Sequence, residues 1–108
     1  IDLPGIEGHT RAIYVEDHIL VQLSLTSQEE VQVKVRYDER AECESFRSSS
    51  PGSCDLTITG RELELSHNGV GDYDILLQYA ERIQPPIEMQ IITDGTVVSE
   101  LTIEPRLE

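Results

Sequence analysis

Apolar residues recur at every second position through most of this chain, and that period constrains the fold more than any other feature. Ile19, Val21, Leu23 and Leu25 alternate with His18, Gln22, Ser24 and Thr26, interrupted only by Leu20. Val31, Val33, Val35 and Tyr37 alternate with Gln32, Lys34 and Arg36. The pattern returns at Leu56 and Ile58, at Leu63 and Leu65, and at Tyr73, Ile75, Leu77 and Tyr79. It closes with Ile87, Met89 and Ile91 and then Val97, Ser99, Leu101 and Ile103. A strand turns successive side chains to opposite faces, so each segment buries one side and wets the other. Antiparallel sheets with one solvated face read this way, whereas strands buried on both faces are continuously apolar.

The residues between the runs agree. Asp94-Gly95 suits a two-residue hairpin turn, in which both central residues take positive φ. Asn68-Gly69 opens another expected turn, Pro85-Pro86 cannot donate to a ladder, and Ser48-Ser49-Ser50-Pro51-Gly52 is a loop by composition. No i, i+3, i+4, i+7 stripe persists for three turns. The expected fold is all-β: an antiparallel two-sheet sandwich of seven to eight strands, immunoglobulin-like or jelly-roll-like. Tyr73 follows the Asn68–Asp72 turn segment, so it is either a tyrosine corner pinning a crossing between sheets or an ordinary strand residue. The absence of Trp disfavours an antibody-type domain.

At 108 residues the chain suits a single domain, taken as residues 1–106. A chain opening at Ile1 without Met is expected to be a processed or excised piece of a longer protein, and Leu107-Glu108 to be a tag-junction remnant. Eight Lys and Arg against twenty-one Asp and Glu give a net charge of −13. That balance excludes phosphate-neutralising nucleic-acid binding and docking on an anionic membrane. No apolar run approaches the ~20 residues of a membrane-spanning helix, so no insertion is expected. The lone asparagine, Asn68, is followed by Gly69 and Val70 and forms no glycosylation sequon.

Cys43 and Cys54 are the only cysteines. The stretch between them holds no histidine, and the separation is too long for a Cys-x-x-Cys redox motif. Two readings remain: a structural disulfide, or two free thiols in a reducing compartment. The disulfide is the expectation. Closing so short a loop contributes about 2–3 kcal/mol in the chain-entropy picture. Such a bridge persists in an oxidising compartment, so the chain is expected to be secreted, periplasmic or on a cell surface.

The run Val31 to Tyr37, then Cys43, Phe46-Arg47-Ser48, Cys54 and Gly71-Asp72-Tyr73-Asp74-Ile75-Leu76-Leu77, resembles the bacterial pre-peptidase C-terminal domain. In that family a strand precedes a Cys-x-x-aromatic pair, a second Cys follows about ten residues on, and a Gly-x-Tyr strand comes later. With gaps the resemblance covers roughly residues 10 to 92. It implies a β-sandwich accessory domain of a secreted peptidase, with no active site to carry over. The sequence departs from the family at Gln28-Glu29-Glu30-Val31-Gln32-Val33, where an acidic Gly-Asp-x-Asp-Leu-Tyr signature is expected. It also departs in the longer 55–70 segment and the added 97–103 strand.

Little points to catalysis. There is no Gly-x-Ser-x-Gly elbow and no glycine-rich phosphate cradle, and His9, His18 and His67 are scattered, with His67 expected at a solvated turn. Adjacent carboxylates are common in so acidic a chain. The ones calcium would use are Asp72 and Asp74, facing one side of a strand, and Glu29 and Glu30 before the Val31 strand. None forms an Asp-x-Asp-x-Asp-Gly loop, and solvated carboxylates are the default; no other cofactor is expected. For ligand contact the candidates are Phe46, either exposed within the cysteine loop or tucked beneath it, with Arg47 and Tyr37 beside it. The expected function is a non-catalytic binding or adhesion module of an exported protein, with a protein or polysaccharide partner. The alternatives are a purely structural sandwich of a longer surface protein and, last, a small inhibitor or enzyme.

If the cysteines are bridged, alkylation of the denatured chain without reductant leaves both unlabelled, and labelling follows reduction. Labelling of both before reduction removes the argument for export.

Overall fold

The computed structural model describes residues 2–37, 41–48, 55–59, 62–79 and 86–106. Eight strands run through them: β1 (Asp2–Leu3), β2 (Ile6–Val15), β3 (His18–Arg36), β4 (Ala41–Ser48), β5 (Asp55–Thr59), β6 (Glu62–Tyr79), β7 (Ile87–Thr93) and β8 (Thr96–Ile103). No helix occurs among the described residues. The fold is the expected all-β, antiparallel one, but its strands are divided differently from the apolar runs.

Two long strands organise it. The runs at Ile19–Leu25 and Val31–Tyr37 belong to one strand of 19 residues, β3. Those at Leu63–Leu65 and Tyr73–Tyr79 belong to one strand of 18, β6. The two pair antiparallel along almost their whole lengths, from His18 against Gln78 to Arg36 against Glu62. Their outer neighbours change partway. Along His18–Ser27 the far side of β3 carries β2 and then β1, whereas along Gln32–Arg36 it carries β7 and then β8. The far side of β6 carries β5 along Glu62–Ser66 and β4 along Tyr73–Tyr79. One sheet is therefore β1-β2-β3-β6-β4, the other β8-β7-β3-β6-β5, and β3 and β6 are common to both.

The change comes at an irregularity in β3. Ser27 pairs with Gly69 and Val31 with His67, so Gln28, Glu29 and Glu30 stand opposite Asn68 alone. Extra residues on one strand bend it and sharpen its twist. The Gln28 amide donates to the Gly5 carbonyl at 3.2 Å, tying the bulge to the turn between β1 and β2. Inward residues keep odd numbers on both sides of the bend: Ile19 to Leu25 and Val31 to Tyr37 on β3, Leu63, Leu65, Tyr73, Ile75 and Leu77 on β6. The same face of the two strands is thus folded onto itself, and Ile87, Met89, Ile91 and Ala12 complete one continuous core.

His67 holds the bend in β6. The expected Asn68-Gly69 turn and solvated histidine give way to a curved continuous strand with His67 fully buried. Gly69 takes φ 86°, a left-handed conformation for which glycine carries no steric penalty. His67 Nε2 donates to the Gly69 carbonyl at 2.8 Å, and Nδ1 is hydrogen-bonded to the Tyr73 hydroxyl. The Tyr73 ring meets the imidazole edge-on, with centroids 5.4 Å apart. Tyr73 therefore pins the chain across a bend, as a tyrosine corner does, but from mid-strand and through a side chain.

Two strands lack the alternation that marks the others. On β2 the inward positions include Gly8, Thr10 and Ala12, too small to show as a hydrophobic run. Small residues fit because β2 lies close on β3: a Cβ added at Gly8 would stand 2.3 Å from the Ser24 carbonyl oxygen. On β4 the register shift between Cys43 and Ser45 puts the phase of Cys43 and Phe46 out by one. The Asp94-Gly95 hairpin is as expected, with φ of 49° and 76° and Thr93 paired with Thr96.

Two tyrosine-to-phenylalanine changes separate a satisfied hydroxyl from an orphan. Tyr73→Phe leaves buried Nδ1 of His67 without its partner and lowers stability by about 1–3 kcal/mol. The Tyr14 hydroxyl is buried and has no hydrogen-bond partner among the described residues, so Tyr14→Phe leaves stability unchanged or raises it. Urea midpoints at constant m-value measure both.

Candidate functional site

The residues singled out in the sequence do not converge. Cys43 is a half-buried free thiol that turns toward the core, its Sγ 3.7 Å from the Ser45 carbonyl oxygen. Burial pushes this thiol's pKa up. Cys54 lies outside the described residues. Phe46 is half-buried and its ring stacks on Tyr73 at 5.8 Å, so it sits beneath the sheet edge and offers no open platform. Tyr37 is 3% exposed and belongs to the core. Its phenol pKa is raised, by burial first and then by Cys43. Of these three candidate contacts, Arg47 alone is exposed.

Asp72 and Asp74 do share the outward face of β6, as their spacing requires. Glu29 and Glu30 are exposed on the β3 bulge, between the two halves of that ladder. Among the described residues no three His, Cys, Asp or Glu side chains gather as a metal site.

What the structure assembles is the outer face of the sheet β2-β3-β6-β4. Register places Ile13, Leu20 and Leu76 in one row across three strands, each half-buried, with Ser45 of β4 completing it. Sheet neighbours stand about 4.8 Å apart, so the three side chains form a continuous aliphatic strip. The next row is polar: Arg11, Gln22, Asp74 and Arg47. Arg11 Nε donates to Gln22 Oε1 at 2.6 Å, and Gln22 Nε2 reaches Asp74 Oδ1 at 3.5 Å. The Thr10 hydroxyl donates to the Gln22 carbonyl at 3.0 Å from the inner side. A further row holds His9, Ser24 and Asp72. On the other flank of the strip, His18 pairs with Glu44, which the β4 bulge turns outward.

Chain side-chain bonds order this face: the amide of Gln22 is held between a guanidinium and a carboxylate, and each group is fixed by its neighbour. Planar polar side chains locked beside an apolar strip can meet the hydroxyls and the apolar face of a sugar ring together. The sequence signal for it was present in the interruptions. Leu20 breaks the alternation of β3, and Leu76, between Ile75 and Leu77, breaks that of β6; register makes the two neighbours.

No family model matches this sequence, and no curated protein matches it. Solved structures do resemble it. The crystal structure of the chitin-binding domain of a chitinase from Pyrococcus furiosus superposes with a TM-score of 0.64 at 12% identity, covering 86% of this chain and 99% of that one. The solution structure of the chitin-binding domain of a hyperthermophilic chitinase from Pyrococcus furiosus gives 0.61 at 13% identity, covering 91% and 97%. At such identities the likeness is one of fold.

The outward strip is expected to matter little for stability. Leu76→Ala shifts the unfolding free energy by less than about 1.5 kcal/mol, whereas its neighbour Leu77→Ala, fully buried, costs about 2–5 kcal/mol. Equal losses in denaturant titration would show the strip to be structural.

Proposed function

We propose that this chain is a non-catalytic polysaccharide-binding module of an exported or cell-surface protein. The observation that carries the reading is the outward aliphatic row Ile13-Leu20-Leu76 lying against the polar row Arg11-Gln22-Asp74-Arg47, in which Gln22 bonds Arg11 and reaches Asp74. A strand position that faces water normally holds a polar residue, and three apolar exceptions aligned across three strands make a surface suited to contact. Support comes from the fold shared with the chitin-binding domain of a chitinase and from the resemblance to pre-peptidase C-terminal domains; both are pieces of larger enzymes. The proposed location is outside the cell or at its surface, where a module of this kind meets polysaccharide; the free Cys43 thiol lends this no support from the expected disulfide.

The polar row recognises hydroxyls by hydrogen bonds, and the strip takes the C–H face of the ring. Without an aromatic platform on this face, recognition rests on matching several sugar units at once. A second reading, a structural sandwich packing against a neighbouring domain, uses the same strip and is separated by experiment. Incubation with insoluble chitin and cellulose followed by sedimentation is expected to deplete the chain from solution. Leu20→Ala with Leu76→Ala weakens that binding by about tenfold, roughly 1.4 kcal/mol, while the fold is retained. Failure to bind any polysaccharide, or a double variant that binds as well, defeats the proposal and leaves the structural reading.

A further inference from the structure

We infer that the groove along the free edge of β2 takes an oxyanion substituent of an acidic glycan, a carboxylate or a sulfate ester. This rests on the polysaccharide-binding reading and names the class of polymer. After β8 the chain crosses to the edge of β2, where Arg106 forms a parallel bridge with Ile13. The Tyr14 amide donates to the Arg106 carbonyl at 2.9 Å and the Arg106 amide to the Ala12 carbonyl at 3.0 Å. Bridged residues face the same way, so Arg106 stands beside Ile13 on the outer face, one strand beyond the aliphatic strip. His9, Arg11, Glu104 and Arg106 line the groove that results, with Thr10 and Thr102.

The charge of this groove runs against the rest of the molecule. The chain carries twenty-one acids to eight lysines and arginines, yet the groove gathers two arginines to one acid. Arg36, by contrast, is held by Glu62 at 2.6 Å and approached by Glu88 at 4.0 Å. Among the described residues no carboxylate lies within ion-pair distance of Arg11 or Arg106, and both side chains are exposed. In so acidic a protein, exposed guanidiniums that stay unpaired and converge are placed for an anion from outside. Gln22 fixes Arg11 through Nε and leaves its terminal nitrogens for the ligand. A guanidinium meets a carboxylate or sulfate through paired N–H donors, a planar match that lysine cannot offer. The His9 ring adds a donor at the mouth of the groove.

The test measures retention of the chain in affinity electrophoresis through polygalacturonate, dextran sulfate, galactan and dextran. At physiological ionic strength, where the repulsion from a net charge of −13 is screened beyond about 8 Å, both acidic polymers, or one of them, are expected to bind about tenfold more tightly than their neutral counterparts. The two acidic arms tell carboxylate from sulfate. Arg106→Gln removes that preference without altering the melting temperature or the binding of neutral polymers, and Arg106→Lys restores it in part. Equal retention by acidic and neutral polymers, or a preference that survives Arg106→Gln, overturns the inference and leaves the binding reading standing. Acidic preference that persists in Leu20→Ala with Leu76→Ala supports the groove and tells against the strip. No retention by any polymer defeats both.

Discussion

The structure depends on two strands serving two sheets at once. β3 and β6 pair along nearly their whole lengths, and the bend at Gln28–Glu30 and Gly69 turns one inner face onto itself. The core then needs no separate interface between independently formed layers. It is one surface, closed. Such a bend removes ladder bonds locally and brings polar groups into the interior, where each must find a partner. His67 answers for this by bonding the Gly69 carbonyl on one side and the Tyr73 hydroxyl on the other, within a single strand. The same Tyr73 ring carries Phe46 of β4, so the clamp at the bend also seats the edge strand.

The fold class was legible in the sequence because burial of one face imposes a period of two, and among the described residues every buried apolar side chain except Ile6 and Ala12 of β2 lies in one of the alternating runs. Strand limits were not. A bulge and a glycine with positive φ look, as residues, like the end of one strand and the start of another: Gln-Glu-Glu interrupts the apolar period, and Asn-Gly is a sound turn sequence. Only pairing to a common partner shows that β3 and β6 continue through them. The missing strands fail differently. β2 packs small side chains against β3 and so carries little hydrophobic signal, while β4 shifts phase at its own bulge.

The candidate site was harder to read for a related reason. Phe46, Tyr37 and the carboxylates stand out in the sequence by residue type alone, and burial or dispersal in the fold sets most of them aside. The face that the structure assembles is built from positions that look like errors in the pattern. Leu20 is noise within one strand; beside Leu76 and Ile13 it is a row. Cross-strand register carries that information, and register is fixed by long-range pairing rather than by local sequence.

Placing the proposed recognition on the outward face has a physical consequence for the molecule. Side chains there lie on the same strands as the core but on the opposite side of the pleat, so they can change without opening a cavity. The hydrogen bonds from Arg11 to Gln22 and on to Asp74 run across three strands whose spacing the buried face already determines. The inner face therefore sets the geometry, and the outer face inherits an ordered lattice of donors and acceptors at no further cost in chain entropy. Arg106 extends this lattice by one strand, since its backbone completes the edge of β2 while its side chain stays outside. A surface of this kind discriminates by which groups occupy its rows, and Arg11 and Arg106, with no ion pair among the described residues, are the cations its groove brings together.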